Sequence, residues 1–123
     1  MKRVKVIVEK TSTGYSAYAE KYPVATTGTT PGEIRSNITE ALNLYFEDRE
    51  IGPGDLAIEI DLHQLFEYYS FLNATGIAHR IGMNQTLLNQ YIRGVKKPSR
   101  KQTERILDGI HEAGRELLGV NLL

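Results

Sequence analysis

The chain contains no cysteine. Disulfides, cysteine-ligated zinc and thiol nucleophiles are therefore excluded. No apolar run approaches the ~20 residues needed to cross a bilayer. The opening "MKRVKVIVEK" starts basic, but Lys5 and Glu9 interrupt its apolar part, so it reads as a strand and not as a secretory leader. A cytoplasmic protein without membrane contact is expected. There is no net charge either, because 15 Lys and Arg balance 15 Asp and Glu. Internal repeats, low-complexity tracts and long flexible linkers are missing as well. A chain of 123 residues makes one compact domain or two very small ones. Small cores are marginal, so oligomerisation or close docking of two halves is expected.

The most informative absence is local. From Tyr68 to Thr103 there is no Asp or Glu, yet Arg80, Arg93, Lys96, Lys97, Arg100 and Lys101 all fall there. Residues 1–54, in contrast, carry seven basic and seven acidic residues. A basic face on a neutral chain binds a polyanion locally while the molecule as a whole stays uncharged.

Periodicity then divides the chain. "RVKVIVEK" alternates, with Val4, Val6 and Val8 on one face, and predicts a strand. "YSAYAEKY" predicts a second strand in a hairpin, and "VATTG" a short third one. Thr30-Pro31-Gly32-Glu33 announces a helix, with Thr30 as cap, Pro31 in the first turn and Glu33 completing a capping box. Ile34, Ile38, Leu42 and Phe46 form its apolar stripe, and the helix is expected to run to about Glu50. "LAIEID" predicts a fourth strand. From Leu62 the period becomes helical, first in "LHQLFEYYSFL" and then in two short segments. Asn84 is the expected cap of the second short segment and Gly94 its stop. A last helix capped by Ser99 and Gln102 is expected to place Ile106, Ile110 and Leu117 on a core face. The expected fold class is α+β: a β-β-β-α-β sheet domain over 1–61, then an all-α domain of four to five helices over 62–123.

The two short helices around Gly82 suggest a helix-turn-helix. Ala78 lets the helices cross closely, and Gly82 can adopt the positive φ of a sharp turn. Ile77, Ile81, Met83, Leu88, Tyr91 and Ile92 occupy core-facing positions, which leaves Gln85, Thr86, Asn89, Gln90 and Arg93 on the outer face. Gln and Asn amides pair a donor with an acceptor, matching the major-groove edge of adenine, and Thr can contact a thymine methyl. These five are the expected base readers. Arg80, Lys96, Lys97, Arg100 and Lys101 are the expected phosphate contacts. A carboxylate in this stretch would repel the DNA backbone. One such helix covers few bases, so a homodimer or tetramer on a palindromic double-stranded operator is expected.

Other chemistries find little support. Metal-dependent phosphodiester cleavage needs converging carboxylates, and Glu9 and Glu20 have no cluster around them. His63, His79 and His111 lack ligand spacing, and Ser and Thr have no His/Asp arrangement beside them. No catalytic residue, metal or cofactor is expected. Tyr15 and Tyr18 fall on opposite strand faces and cannot form a shared stacking platform.

Two resemblances extend this reading. "ATGIAHRIGMNQTLLNQYIRGVKKPS" resembles the helix-turn-helix of lambda-repressor-like (Cro and Xre-type) regulators. Its Ala-x-x-x-Gly turn, the Gln at the start of the recognition helix and the closing "IRGVKKPS" carry that likeness, over roughly residues 62–118. The first half is similar to the HicB antitoxin fold, a degenerate ribonuclease-H-like domain. Gly14-Tyr15, the "GTTPGE" helix entry and the Asn37–Ala41–Leu42 face carry this one, while "YPVATTG" stands where many members have a "PDLPGC"-like run. The resemblance implies an antitoxin that neutralises a HicA-type RNA-cleaving toxin and represses its own transcription. The competing reading is a stand-alone regulator whose N-terminal half only oligomerises or senses a ligand.

Overall fold

The computed structural model describes residues 2–123. It is mixed α/β, with a four-stranded mixed sheet and five α-helices. The chain divides into two compact units, the first ending at Tyr68 and the second running from Tyr69 to Leu123.

In the first unit, β1 (Val4–Thr11) and β2 (Gly14–Ala19) form the antiparallel hairpin. β3 (Ala25–Gly28) continues it antiparallel to β2. β4 (Leu56–Ile60) returns to the far side of β1 and pairs parallel to it, giving the order β3-β2-β1-β4. The period-two pattern sends Val4, Val6 and Val8 to one face, in register with Ala19 and Ala17 of β2 and with Leu56, Ile58 and Ile60 of β4. Helix α1 (Pro31–Tyr45) lays Ile34, Ile38 and Leu42 on this face, and Val24 and Ile51 close the core. Val6 and Leu42 are both fully buried. The opposite face carries Lys5, whose ammonium bridges Glu20 at 2.9 Å and Glu59 at 3.4 Å.

α1 begins as its sequence signals. The Thr30 hydroxyl accepts the Glu33 N–H at 3.1 Å. The return bond of the expected box is displaced by one residue: the Glu33 carboxylate accepts from the Thr29 N–H and the Thr29 hydroxyl. α1 stops at Tyr45, short of the expected Glu50. Two interactions outcompete further helix. The Phe46 ring turns edge-on to Tyr22 at 4.8 Å, and the Asn43 amide both donates to and accepts from the Ile51 backbone. The second interaction pulls Ile51 into the core, where it is 2% exposed.

The expected boundary at Asp61/Leu62 falls inside the first unit. Helix α2 (Leu62–Tyr68) follows β4 directly and is tied to β1. The Asp61 N–H donates to the Val8 carbonyl, and the Asp61 carboxylate caps the Gln64 N–H at 3.0 Å. The Gln64 side chain then pairs with both the N–H and the carbonyl of Lys10. α2 ends at Tyr68, before the expected Leu72.

The second unit holds α3 (Ala74–Ile81), α4 (Gln85–Ile92) and α5 (Arg100–Gly119). Counted from Leu62 the chain has four helices, but α2 goes with the sheet. In α5, Ile106 is fully buried and Ile110 partly so, whereas Leu117 is 70% exposed. The expected core role of Leu117 is therefore corrected. At 1.5 Å per residue α5 is ~30 Å long and α3 only ~12 Å, so α3 cannot cover the whole length of α5.

Gly28 marks a close approach. A Cβ there would lie 2.7 Å from the Ile34 nitrogen and 2.9 Å from its Cα, both backbone atoms that cannot move aside. Gly28→Ala should cost about 1–3 kcal/mol by forcing α1 off the sheet. The expected readout is a lower midpoint in urea denaturation.

Candidate nucleic-acid interface

α3 is capped by Asn73, whose carboxamide accepts the Gly76 N–H at 3.0 Å. It ends at Gly82, in the left-handed region at φ 67° and ψ 33°. The turn closes with the Met83 N–H on the Ala78 carbonyl at 2.9 Å. A side chain at Gly82 would strain this turn, because L residues other than Asn and Asp rarely adopt that conformation. Asn84 then caps α4, accepting the Leu87 N–H at 3.1 Å. Ile77, Ala78, Met83, Leu88 and Tyr91 are buried, and Ile81 and Ile92 partly so. The apolar side of the two helices is thus the one their spacing indicates.

A third helix fixes the turn. Arg105 of α5 donates to the carbonyls of Ile81 at 2.6 Å and Gly82 at 3.0 Å, taking up acceptors left free at the end of α3. One turn on, Gly109 meets Ile81, and a Cβ at Gly109 would fall 2.3 Å from the Ile81 Cγ2. Neither residue stands out in the sequence. Periodicity marks which side of a helix is apolar but not which long side chain reaches a neighbouring turn.

The expected base readers share one side of α4. Gln85, Thr86 and Arg93 are exposed, and Asn89 and Gln90 are half-buried on the side away from Leu88 and Tyr91. Gln85 and Thr86 form the first turn. Beyond α4 the chain reverses at Gly94, with φ 75°, as the N–H groups of Val95 and Lys96 both donate to the Gln90 carbonyl. Lys96 and Lys97 are exposed on the loop that follows. Ser99 caps α5 by accepting the Gln102 N–H at 3.1 Å, which places Arg100 and Lys101 in its first turn.

The candidate DNA-contacting cations, Arg93 among the readers and the rest among the phosphate contacts, differ in their pairing. Arg93, Lys96 and Lys101 make no ion pair among the described residues. Arg80 pairs with Glu116 through a short charge-assisted hydrogen bond, and Arg100 pairs with Glu104 at 3.1 Å. α5 therefore returns acid to a stretch that is acid-free along the sequence. The hydrogen bond and charge of Arg80 lower the Glu116 pKa, and Glu116 in turn raises that of Arg80, with Glu112 adding to it.

Among the described residues, no group of three or more His, Asp or Glu could hold a metal ion. His63 contacts Glu67 at 3.1 Å, and His79 and His111 are exposed. No described helix is long and apolar enough to cross a membrane. Compared with protein-family models, curated proteins and solved structures, the chain matches none.

The Arg80–Glu116 contact has a pH signature. Because the folded-state pKa of Glu116 is depressed, the contact is complete above the ordinary glutamate value and is lost as pH falls through the lowered one. In an NMR titration Glu116 should titrate below the ordinary glutamate value, and R80A should bring it back toward that value.

Proposed function

We propose that this protein is a sequence-specific DNA-binding repressor that reads its operator through α4, and that its first unit serves as a HicB-like antitoxin module toward a HicA-type toxin. The carrying observation is the outward side of α4. Gln85, Thr86, Asn89, Gln90 and Arg93 line one side of a helix whose other side is buried, and that helix is held at a fixed turn by Gly82 and Arg105. In a helix-turn-helix this is the side that enters the major groove, with the N-terminal turn contacting base edges. Amides there can bond adenine in bidentate fashion, and Arg93 can bond guanine.

The cations support the same reading. The first turn of α5 has no acidic residue and carries Arg100 and Lys101, a placement its helix dipole disfavours. Local cost of this kind is offset when a phosphate binds between the cations and the helix N-terminus. Lys96 and Arg93 add unpaired positive charge close by in the chain. Arg80 is the weakest phosphate candidate, since Glu116 competes for it.

Support for the antitoxin half is the strand order and the helix entry. Gly14 and Gly28 meet at the "GTTPGE" corner, where a Cβ on Gly14 would lie 2.3 Å from the Gly28 carbonyl oxygen. Both glycines belong to the segments that carry the HicB resemblance. On this reading the protein acts by binding, as a homo-oligomer on a palindromic operator, and not by catalysis.

Gel-shift assays on a selected operator test the proposal. Gln85→Ala should weaken specific binding by about 1–3 kcal/mol and relax preference at one base pair. Lys96→Ala should weaken binding to every DNA about equally and flatten the salt dependence by about 0.9 log unit per lost phosphate contact. Equal loss on all sequences with Gln85→Ala would remove it as a reader. If a co-expressed small basic toxin is not captured, the first unit is left to oligomerisation or ligand sensing.

A further inference from the structure

Three residues of α5 meet the end of α3. Arg105 donates to the carbonyls of Ile81 and Gly82, Gly109 lies against Ile81, and Glu116 takes the Arg80 guanidinium. Together with Glu112 they recur every three or four residues, so all four fall on one stripe of the helix. The first two serve the turn: Arg105 satisfies free carbonyls, and Gly109 lets the helices approach. Glu116 serves no such end. Its pair with Arg80 lies at the surface, with side chains 58% and 34% exposed, and ion pairs of that kind add little to stability. Nor does Arg80 need a carboxylate for its own sake. It sits in the last turn of α3, where the helix dipole already favours a cation.

What Glu116 does is occupy Arg80. In a helix-turn-helix the first helix crosses the DNA backbone, which makes a cation on α3 a phosphate contact. An arginine bonds carboxylate and phosphate through the same donors. Glu116 therefore stands in for a phosphate oxygen, and DNA has to displace it to reach Arg80. Lys96 and Lys101 are exposed with no such partner among the described residues, so their contacts involve no exchange. Arg100 is also held, by Glu104, but that neighbour is four residues along the same helix. The partner of Arg80 comes from 36 positions away and is set there by the packing of α5 on α3.

We infer that Glu116 sets the affinity of the DNA site by holding Arg80 in reserve. This inference rests on the DNA-binding reading of α4. While the pair is closed, Arg80 and Glu116 present no net charge to the backbone, and the protein releases one counterion fewer than its cations suggest. Opening the pair adds a phosphate contact that carries no sequence information, so the gain falls on every DNA alike.

The test uses the full chain in gel shifts on a selected operator and on unrelated DNA, at several salt concentrations. E116Q keeps the side-chain shape and removes its charge. It should bind both DNAs about threefold tighter at low salt, with a salt slope steeper by about 0.9 log unit per log unit of salt. R80A should change little in the parent, and E116Q/R80A should lose the gain. Glu112 adds its charge at Arg80 without bonding it, so E112Q should give a clearly smaller gain than E116Q. Urea midpoints of the variants should match that of the parent. E116Q binding like the parent, a gain that survives R80A, or R80A weakening the parent as much as it weakens E116Q would each overturn the inference. So would E112Q equalling E116Q, or a lowered urea midpoint for E116Q, which would make the pair structural. A parent that binds neither DNA removes the DNA-binding reading itself, and this inference with it.

Discussion

Arg105 reaches from α5 to the carbonyls of Ile81 and Gly82, while Gly109 leaves room for the Ile81 side chain. These contacts meet at the corner where α3 gives way to α4. The left-handed Gly82 sets the direction of the turn, but a single left-handed residue is a soft hinge. Hydrogen bonds from a guanidinium to both flanking carbonyls, with a tight apolar contact below, hold the angle from outside. The direction in which Gln85 and Thr86 point depends on this corner. So does the burial of Leu88 and Tyr91, which exists only if α4 lies at that angle.

Much of the architecture is legible in the sequence because it depends on local chemistry. Val4, Val6 and Val8 alternate, so β1 has one apolar face whatever else the chain does. Thr30, Asn84 and Ser99 sit where their side chains accept the N–H group three residues ahead, and all three cap helices. Gly82 lies where two short apolar helices must turn sharply one against the other. The legible features share a property: each is decided within four or five residues.

What the sequence conceals depends on distant partners. The end of α1 is set by Tyr22 and Ile51, which receive the Phe46 ring and the Asn43 amide. α2 reads as the start of the helical half, yet Gln64 gives its side-chain amide to Lys10, 54 positions earlier. Leu117 carries the right period for a core position but is 70% exposed. Charge shows the same limit. A run of 36 positions without acid, from Tyr68 to Thr103, predicts a clean cationic surface. α5 nevertheless returns along the same unit and lends Glu116 to Arg80. The candidate base readers are legible because one helix holds them all, and the phosphate contacts are less so because they come from three segments.

The parallel pairing of β1 with β4 also governs the order in which the sheet is assembled. The hairpin partners of β1 lie within about fifteen positions of it, whereas Val4 and Leu56 are about fifty apart. Closing the longer loop costs more entropy before any contact compensates it, so β4 docks after the hairpin and α1. During that interval β1 is itself an edge, its valines shielded on one side only. During synthesis the interval lasts until residue 60 has left the ribosome, at about 5–20 residues per second. The strand that ends up most protected in the finished sheet is the one left open longest while the sheet is made.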